Sequence, residues 1–387
     1  MSTALLTGPL AVAGVLCANV VLSEWLARRG IFRHLGSALL VIVVTAVEAN
    51  LGLIPTVAPE SMHPVYEGVF GYVAPLSIFW LLLRVDLREV ARAGAQMLIL
   101  FLIGSAGVAL GALAGMRLFG GGDVFGDHRA ALAGMFTGTY TGGSINFNAI
   151  ALHYGVVENG LLYAGANAVD AALTTVWMVV TVVVPRLFAR AWPPLRELAR
   201  PAARALEEGL HEHDRELVAP TDLALVTALG LGAVAASNEL AAHSGLPSIL
   251  IVTTLALIAA QVPAVQRLRG YRSLGLFAVY VFLAVIGALC DLSAVAGLGS
   301  LAARLTGLVL TILAVHGTLL FAAARALRLD PAAAAVASQA GVGGGTTALA
   351  LARSLERPDL AAPGILVGSL GTALGTYLGF WVAASMG

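Results

Sequence analysis

Two stretches of this chain place small hydroxyl, amide and glycine residues where the surrounding sequence is apolar: "TYTGGSINFNA" at 139–149 and "SQAGVGGGTTA" at 338–348. Thr139, Thr141, Ser144, Asn146 and Asn148 in the first, and Ser338, Gln339, Thr346 and Thr347 in the second, are neutral oxygen and amide donors suited to a hard cation such as sodium. Gly142 and Gly143, and later Gly343, Gly344 and Gly345, permit a sharp turn and close backbone approach. A turn at these glycines leaves free N–H groups at the start of one half-helix and free C=O groups at the end of the other. Opposite partial charges then meet at one tip, so an anion and a cation can be held side by side.

Asp170 is the acid expected to work with them. It lies about ten residues into an apolar run, in "YAGANAVDAALTT", with Asn167 at i−3 and Thr174 at i+4 on the same helical face. A carboxylate at membrane depth is costly unless a partner or water relieves it, which makes it a functional candidate as cation ligand or proton carrier. The expected sodium set is Asp170, Asn146, Ser144 and Thr347. Glu48 and His316 are weaker candidates; a lone buried His more often serves packing.

The elements that must position these residues are membrane helices. The 387 residues are 59% hydrophobic and 11% charged, against about 25% charged in an ordinary soluble domain. Ten apolar runs, at about 4–22, 35–54, 66–83, 96–116, 160–184, 221–241, 247–263, 273–290, 305–324 and 363–385, are each long enough to cross a bilayer. The segments 130–152 and 331–352 decide the topology. Every one of the 22 basic residues is Arg, which excludes a phosphate-cradling GxxxxGK[ST] loop and a lysine Schiff base. Cys17 and Cys290 have no CxxC spacing and are read as packing residues. The first run lacks a basic lead and a small-residue cleavage site, so it is expected to stay as a helix.

Arginine placement orients the chain, since basic loops stay on the cytoplasmic side. If both Gly-rich segments cross, 13 of 22 arginines fall outside; if each enters and leaves by the same face, 19 of 22 lie inside. The second arrangement gives ten crossings, both termini outside, and two re-entrant hairpins from opposite faces. A pair of broken helices that do cross stays open as the alternative.

The chain also repeats itself. Gly142 and Gly143 correspond to Gly343 and Gly344, 201 residues on, and Asp86-Leu87 to Asp291-Leu292, 205 residues on. The expected fold is an all-α polytopic membrane protein of two inverted repeats, 1–184 and 221–387, each with five transmembrane helices and one re-entrant hairpin or broken helix. Between them, 185–220 is a cytoplasmic linker carrying six Arg, with an amphipathic helix expected at roughly 194–210. Inverted repeats with interrupted helices point to a secondary transporter with its site near the midplane.

"GTYTGGSINFNA", the following "VDAALTTVWM" and the later "GVGGGTTALA" together resemble the integral-membrane family of unknown function numbered 819. That family looks like a branch of the broad group containing bile-acid-type sodium symporters, cation/proton antiporters, and glutamate and 2-hydroxycarboxylate symporters. The resemblance implies substrate and sodium binding at the paired glycines, carried onto Gly142, Gly143, Ser144, Gly343, Gly344 and Gly345. The adjacent-acid pattern of electrogenic proton antiporters is missing around Asp170, whose neighbours are Val169 and Ala171.

The expected function is therefore an ion-coupled transporter, driven by sodium or protons, that moves a small organic anion by alternating access and forms a homodimer in the plasma membrane. A cation/proton antiporter without organic substrate, or a non-transporting scaffold or sensor, is the alternative. No cofactor beyond the coupling ion and no nucleic acid is expected. Nor is an enzyme: "HEHD" at 211–214 is not HExxH, and Ser144 has no partnered His in view.

Overall fold

The computed structural model describes residues 4–30, 32, 36–56, 62–121, 125–188, 218–290 and 298–386, and every regular element among them is helical. The expected amphipathic helix at 194–210 and the Asp291-Leu292 pair lie outside the described residues. The first half carries α1 (Pro9–Leu26), α2 (Gly36–Asn50), α3 (Pro64–Leu82), α4 (Ala95–Phe119), α5 (Arg129–Gly142), α6 (Ser144–His153) and α7 (Gly160–Phe188). The second carries α8 (Pro220–Ser244), α9 (Ser248–Ala260), α10 (Tyr271–Ala288), α11 (Leu298–Ala326), α12 (Pro331–Val342), α13 (Gly345–Ser354) and α14 (Ala361–Ala384). All ten apolar runs are helices. Eight are long and apolar enough to span a membrane, whereas α2 and α9, with 15 and 13 residues, are shorter.

Local chemistry explains the boundaries. Proline opens α1, α3, α8 and α12, where its missing N–H costs nothing. Inside α3, Pro75 cannot donate to the ladder, and the turn before it, Val69–Val73, widens into a π-helix that absorbs the slip.

The helices sort into two groups. One holds α1, α2, α3, α8, α9 and α10; the other holds α4 to α7 and α11 to α14. Pairings in one half recur in the other: α2 packs on α10 and α9 on α3, α1 on α10 and α8 on α3, α5 on α14 and α12 on α7. The side-chain bonds recur as well. Asn50, at the end of α2, donates to the Cys290 carbonyl at 2.7 Å, and Gln261, just after α9, donates to the Val85 carbonyl at 2.9 Å. The two long helices α4 and α11 run antiparallel in close contact, with Gly107, Gly111 and Gly115 against His316, Ile312 and Leu308 in turn.

Both interrupted segments fold back on themselves. In the first, Gly134 and Gly138 of α5 lie against Ile150 of α6. In the second, Arg357, just after α13, donates to Asp330, just before α12, at 2.6 Å. Run straight, residues 331–354 would extend about 36 Å, so a broken helix that continues onward is not what forms. The α14 helix lies against both hairpins: Gly371, Gly375 and Gly379 meet Gly142, Gly138 and Gly134, while Gly368 meets Gly345.

Contacts gather the helix ends into two sets, one at each end of the bundle. At one face Leu5 bonds to Gly52, Asn50 to Cys290, Arg129 to Met116 and Arg304 to Phe119, and Phe380 packs on His153 and Tyr154. At the other, Arg88 donates to the Gln261 carbonyl, Arg186 to the Ser354 carbonyl and Arg357 to Asp330. The two carboxylates on Arg357, Asp359 foremost, push its guanidinium above the ordinary arginine range.

Candidate functional site

The tip of the first hairpin is built by backbone proximity. The Gly143 N–H donates to the Thr139 carbonyl at 2.7 Å, closing α5, and the chain turns at Gly143 with φ +92°, a conformation that excludes most side chains. Gly142 is glycine for a different reason. A Cβ there would sit 1.9 Å from the Gly371 carbonyl oxygen. Thr372 donates to the Gly142 carbonyl at 3.2 Å and Thr376 to Asn146 Oδ1 at 2.6 Å, so α14 holds both legs.

The second tip copies the turn. Gly344 has φ +83° and ψ 179°, against +92° and 178° at Gly143. The Gly343 N–H donates to the Gln339 carbonyl at 2.8 Å, and Thr347 Oγ1 to the Gly344 carbonyl at 2.8 Å. Gly343 itself has an ordinary φ of −114°. The tips meet: a Cβ on Gly341 would lie 3.1 Å from the Tyr140 carbonyl oxygen.

Asp170 stands at this junction. Its carboxylate faces the hydroxyls of Thr139 and Tyr140, and Thr174 adjoins Tyr140 from the same helix as Asp170. Asp170 Oδ1, Tyr140 Oη, Thr141 Oγ1, Asn146 Nδ2 and Gln339 Nε2 are buried with no hydrogen-bond partner. Buried polar atoms are normally paired, and an orphan costs about 1–3 kcal/mol. These five lie on the two hairpins and on α7 beside them, and each is left with bonding that something else can complete.

The expected residues fare differently. Thr139, Asp170 and Thr174 converge. Asn167 is half-buried on α7, while Ser144 and Thr346 are exposed at the starts of α6 and α13. The Asn148 side-chain oxygen Oδ1 accepts from the Tyr163 hydroxyl at 2.5 Å. Ser338 accepts from Trp177 Nε1 at 2.9 Å and bonds His316 Nε2 at 2.8 Å, and His316 Nδ1 reaches the Gly104 carbonyl at 2.8 Å. A carbonyl only accepts, so Nδ1 carries the proton and Ser338 donates to Nε2. The expected sodium set is thus divided: Asp170 keeps company with Thr139 and Tyr140, Asn146 with Thr376, and Thr347 with Gln339 and Gly343. Sequence reasoning missed Tyr140, although it stands between two residues that were singled out; it also missed Trp177 and Thr181, which nothing local distinguishes from apolar span.

Among the described residues no three His, Cys, Asp or Glu side chains gather, so a transition-metal centre has no ligand set there. The chain is 28% identical over 361 residues to the "Uncharacterized membrane protein YjcL" of Bacillus subtilis (strain 168), covering 88% of this chain and 87% of that protein. Residues 11–386 match the family described as "Protein of unknown function (DUF819)". That match takes in both hairpins, Asp170 and the ten apolar helices, and this membrane protein belongs to the DUF819 family.

Proposed function

We propose that the protein is an ion-coupled secondary transporter that uses sodium or protons to move a small organic anion. The observation that carries this reading is the Asp170 carboxylate, with Oδ1 buried and unpartnered where two helical hairpins meet. A cation or proton bound there neutralises the acid and fills its vacant bonding, and α6 starts nearby with the exposed Ser144, where an anion is favoured. Irregular backbone at membrane depth is tolerated where it lines a polar cavity, which is how the paired tips are read.

The recurring helix pairings and the antiparallel α4 and α11 support two inverted repeats, 1–184 and 221–387. In that arrangement the group with the hairpins moves against a scaffold of α1 to α3 and α8 to α10, which also forms the homodimer. The face bearing Arg88, Arg186, Arg353 and Arg357 is cytoplasmic, the face bearing Arg117, Arg129 and Arg304 is external, and both termini are outside a plasma membrane. No catalysis is assigned.

The test is thermal unfolding of the purified chain in detergent with sodium chloride against choline chloride. Sodium is expected to raise the melting temperature in the native chain, with the Asp170 contribution gone in Asp170→Asn. Indifference to sodium with proton release on substrate addition moves the assignment to proton coupling. No response to sodium, pH or any of a panel of organic acids rejects transport.

A further inference from the structure

The second hairpin has an unused amide whose orientation can be settled by counting hydrogens. Thr181 of α7 has one hydroxyl proton, and its oxygen lies 2.9 Å from the Met178 carbonyl, 3.1 Å from the Trp177 carbonyl and 3.3 Å from the Gln339 side chain. Back-bonding to the helix takes that proton, leaving the Thr181 oxygen as an acceptor toward Gln339. An amide oxygen facing it would set two lone pairs together and strand the amide nitrogen, which then has no partner at a residue 0% exposed. Turned by 180°, the amide donates to Thr181 and both faults vanish. Its oxygen now occupies the orphan position.

That position overlooks Gly343. A Cβ on Gly343 would lie 2.6 Å from the orphan amide atom and 2.4 Å from Thr347 Oγ1. With φ at −114°, the backbone tolerates any residue there. Glycine is needed for space, because two oxygens converge on the spot a side chain would fill. Thr347 spends its proton on the Gly344 carbonyl, so its lone pair is free. The last turn of α12 adds its negative dipole end. Two neutral oxygens and a helix C-terminus fit a small hard cation without a carboxylate.

We infer that the tip of the second hairpin is a separate, uncharged site for a monovalent cation, held by the Gln339 amide oxygen and Thr347 Oγ1 over Gly343. It is anchored to α7 at Thr181, about three turns from Asp170. The inference rests on the transporter reading and adds to it a second coupling ion.

The experiment is a sodium chloride titration of the melting temperature, with choline chloride at constant ionic strength, on the full chain and four variants. Gln339→Met and Thr347→Val keep side-chain volume and remove the oxygen. Each is expected to fold and to shift the sodium midpoint upward by about tenfold or more, the scale of one lost polar contact to a charge. Asp170→Asn is expected to keep a residual sodium response, and Asp170→Asn/Gln339→Met to lose it. Folded Gln339→Met and Thr347→Val that titrate like the native chain overturn the second site, as does an Asp170→Asn variant with no residual response; in both cases the Asp170 reading stands. A native chain that ignores sodium overturns the second site and leaves Asp170 to the proton-coupling arm of the earlier test. If neither oxygen-deleted variant folds, Gly343→Ala, which fills the same space, is titrated instead, and an unchanged midpoint there counts against the site.

Discussion

Arg357 joins Asp330 at 2.6 Å across the open base of the second hairpin, 27 residues away in sequence. Asp330 is 3% exposed and also caps α12, accepting from the Ala332 N–H at 2.8 Å, while Arg357 grips Asp359 with its other two nitrogens at 2.9 and 2.7 Å. One guanidinium thus ties both legs to the start of α14. Its raised pKa keeps it charged, so this contribution is present below the ordinary arginine range and is lost only above it.

Arg357→Met is expected to destabilise the protein by about 3 kcal/mol, since a buried carboxylate loses its counter-charge. Asp330→Asn should cost less, because asparagine caps a helix as well as aspartate does. Thermal unfolding of the two variants checks the order; since both keep the cap, a loss in Asp330→Asn as large as that in Arg357→Met would mean that the lost ion pair, and not the uncompensated charge left on Asp330, sets the cost.

Gly142→Ala should be poorly tolerated. Its Cβ would fall 1.9 Å from a backbone oxygen of α14, and neither helix can yield without separating both hairpin legs. A loss of about 3 kcal/mol is expected. Gly232→Ala, on α8 with nothing within 4 Å, is the control and should be neutral or stabilising by about 0.5–1 kcal/mol. Comparable melting temperatures for the two would contradict the packing of α5 on α14.

Ser338→Ala separates positioning from ion binding. It removes the acceptor of Trp177 and the donor to His316, two buried groups, at about 1–3 kcal/mol each. The sodium midpoint should stay within a few-fold of the native value, because the serine oxygen already has both partners. A lost sodium response with unchanged stability would make Ser338 a ligand.

Cys290, just beyond α10, is 3% exposed and burial pushes its thiol up to about 12. In a Cys17→Ser background, alkylation by iodoacetamide should be slow at pH 7 and rise about tenfold per pH unit, following the thiolate fraction. Mass spectrometry reads the rate. Fast, pH-independent labelling would show that the end of α10 does not pack on α2 as the Asn50–Cys290 bond describes.

Much of this was legible locally. Apolar runs set the helices, Gly143 and Gly344 marked the turns, and the 201-residue spacing between them matched two tips of the same backbone conformation. Arginine positions favoured hairpins over crossing segments, and the Arg357 bridge joins the two ends of the second segment. Partnerships were not legible. Asn148 and Thr139 look alike as polar residues in a glycine-rich stretch, yet Asn148 is bonded by Tyr163 from the next helix while Thr139 faces Asp170.

Hydropathy and backbone preference act within a few residues, so the chain alone determined where helices run, where they break and which acid lies within an apolar span. Which oxygen is already bonded and which is vacant depends on helices hundreds of residues apart meeting at a particular rotation. Only the packing of α14, α7 and α11 around the two tips decided that, because a hydrogen bond is assigned by distance and direction and neither is written in sequence spacing.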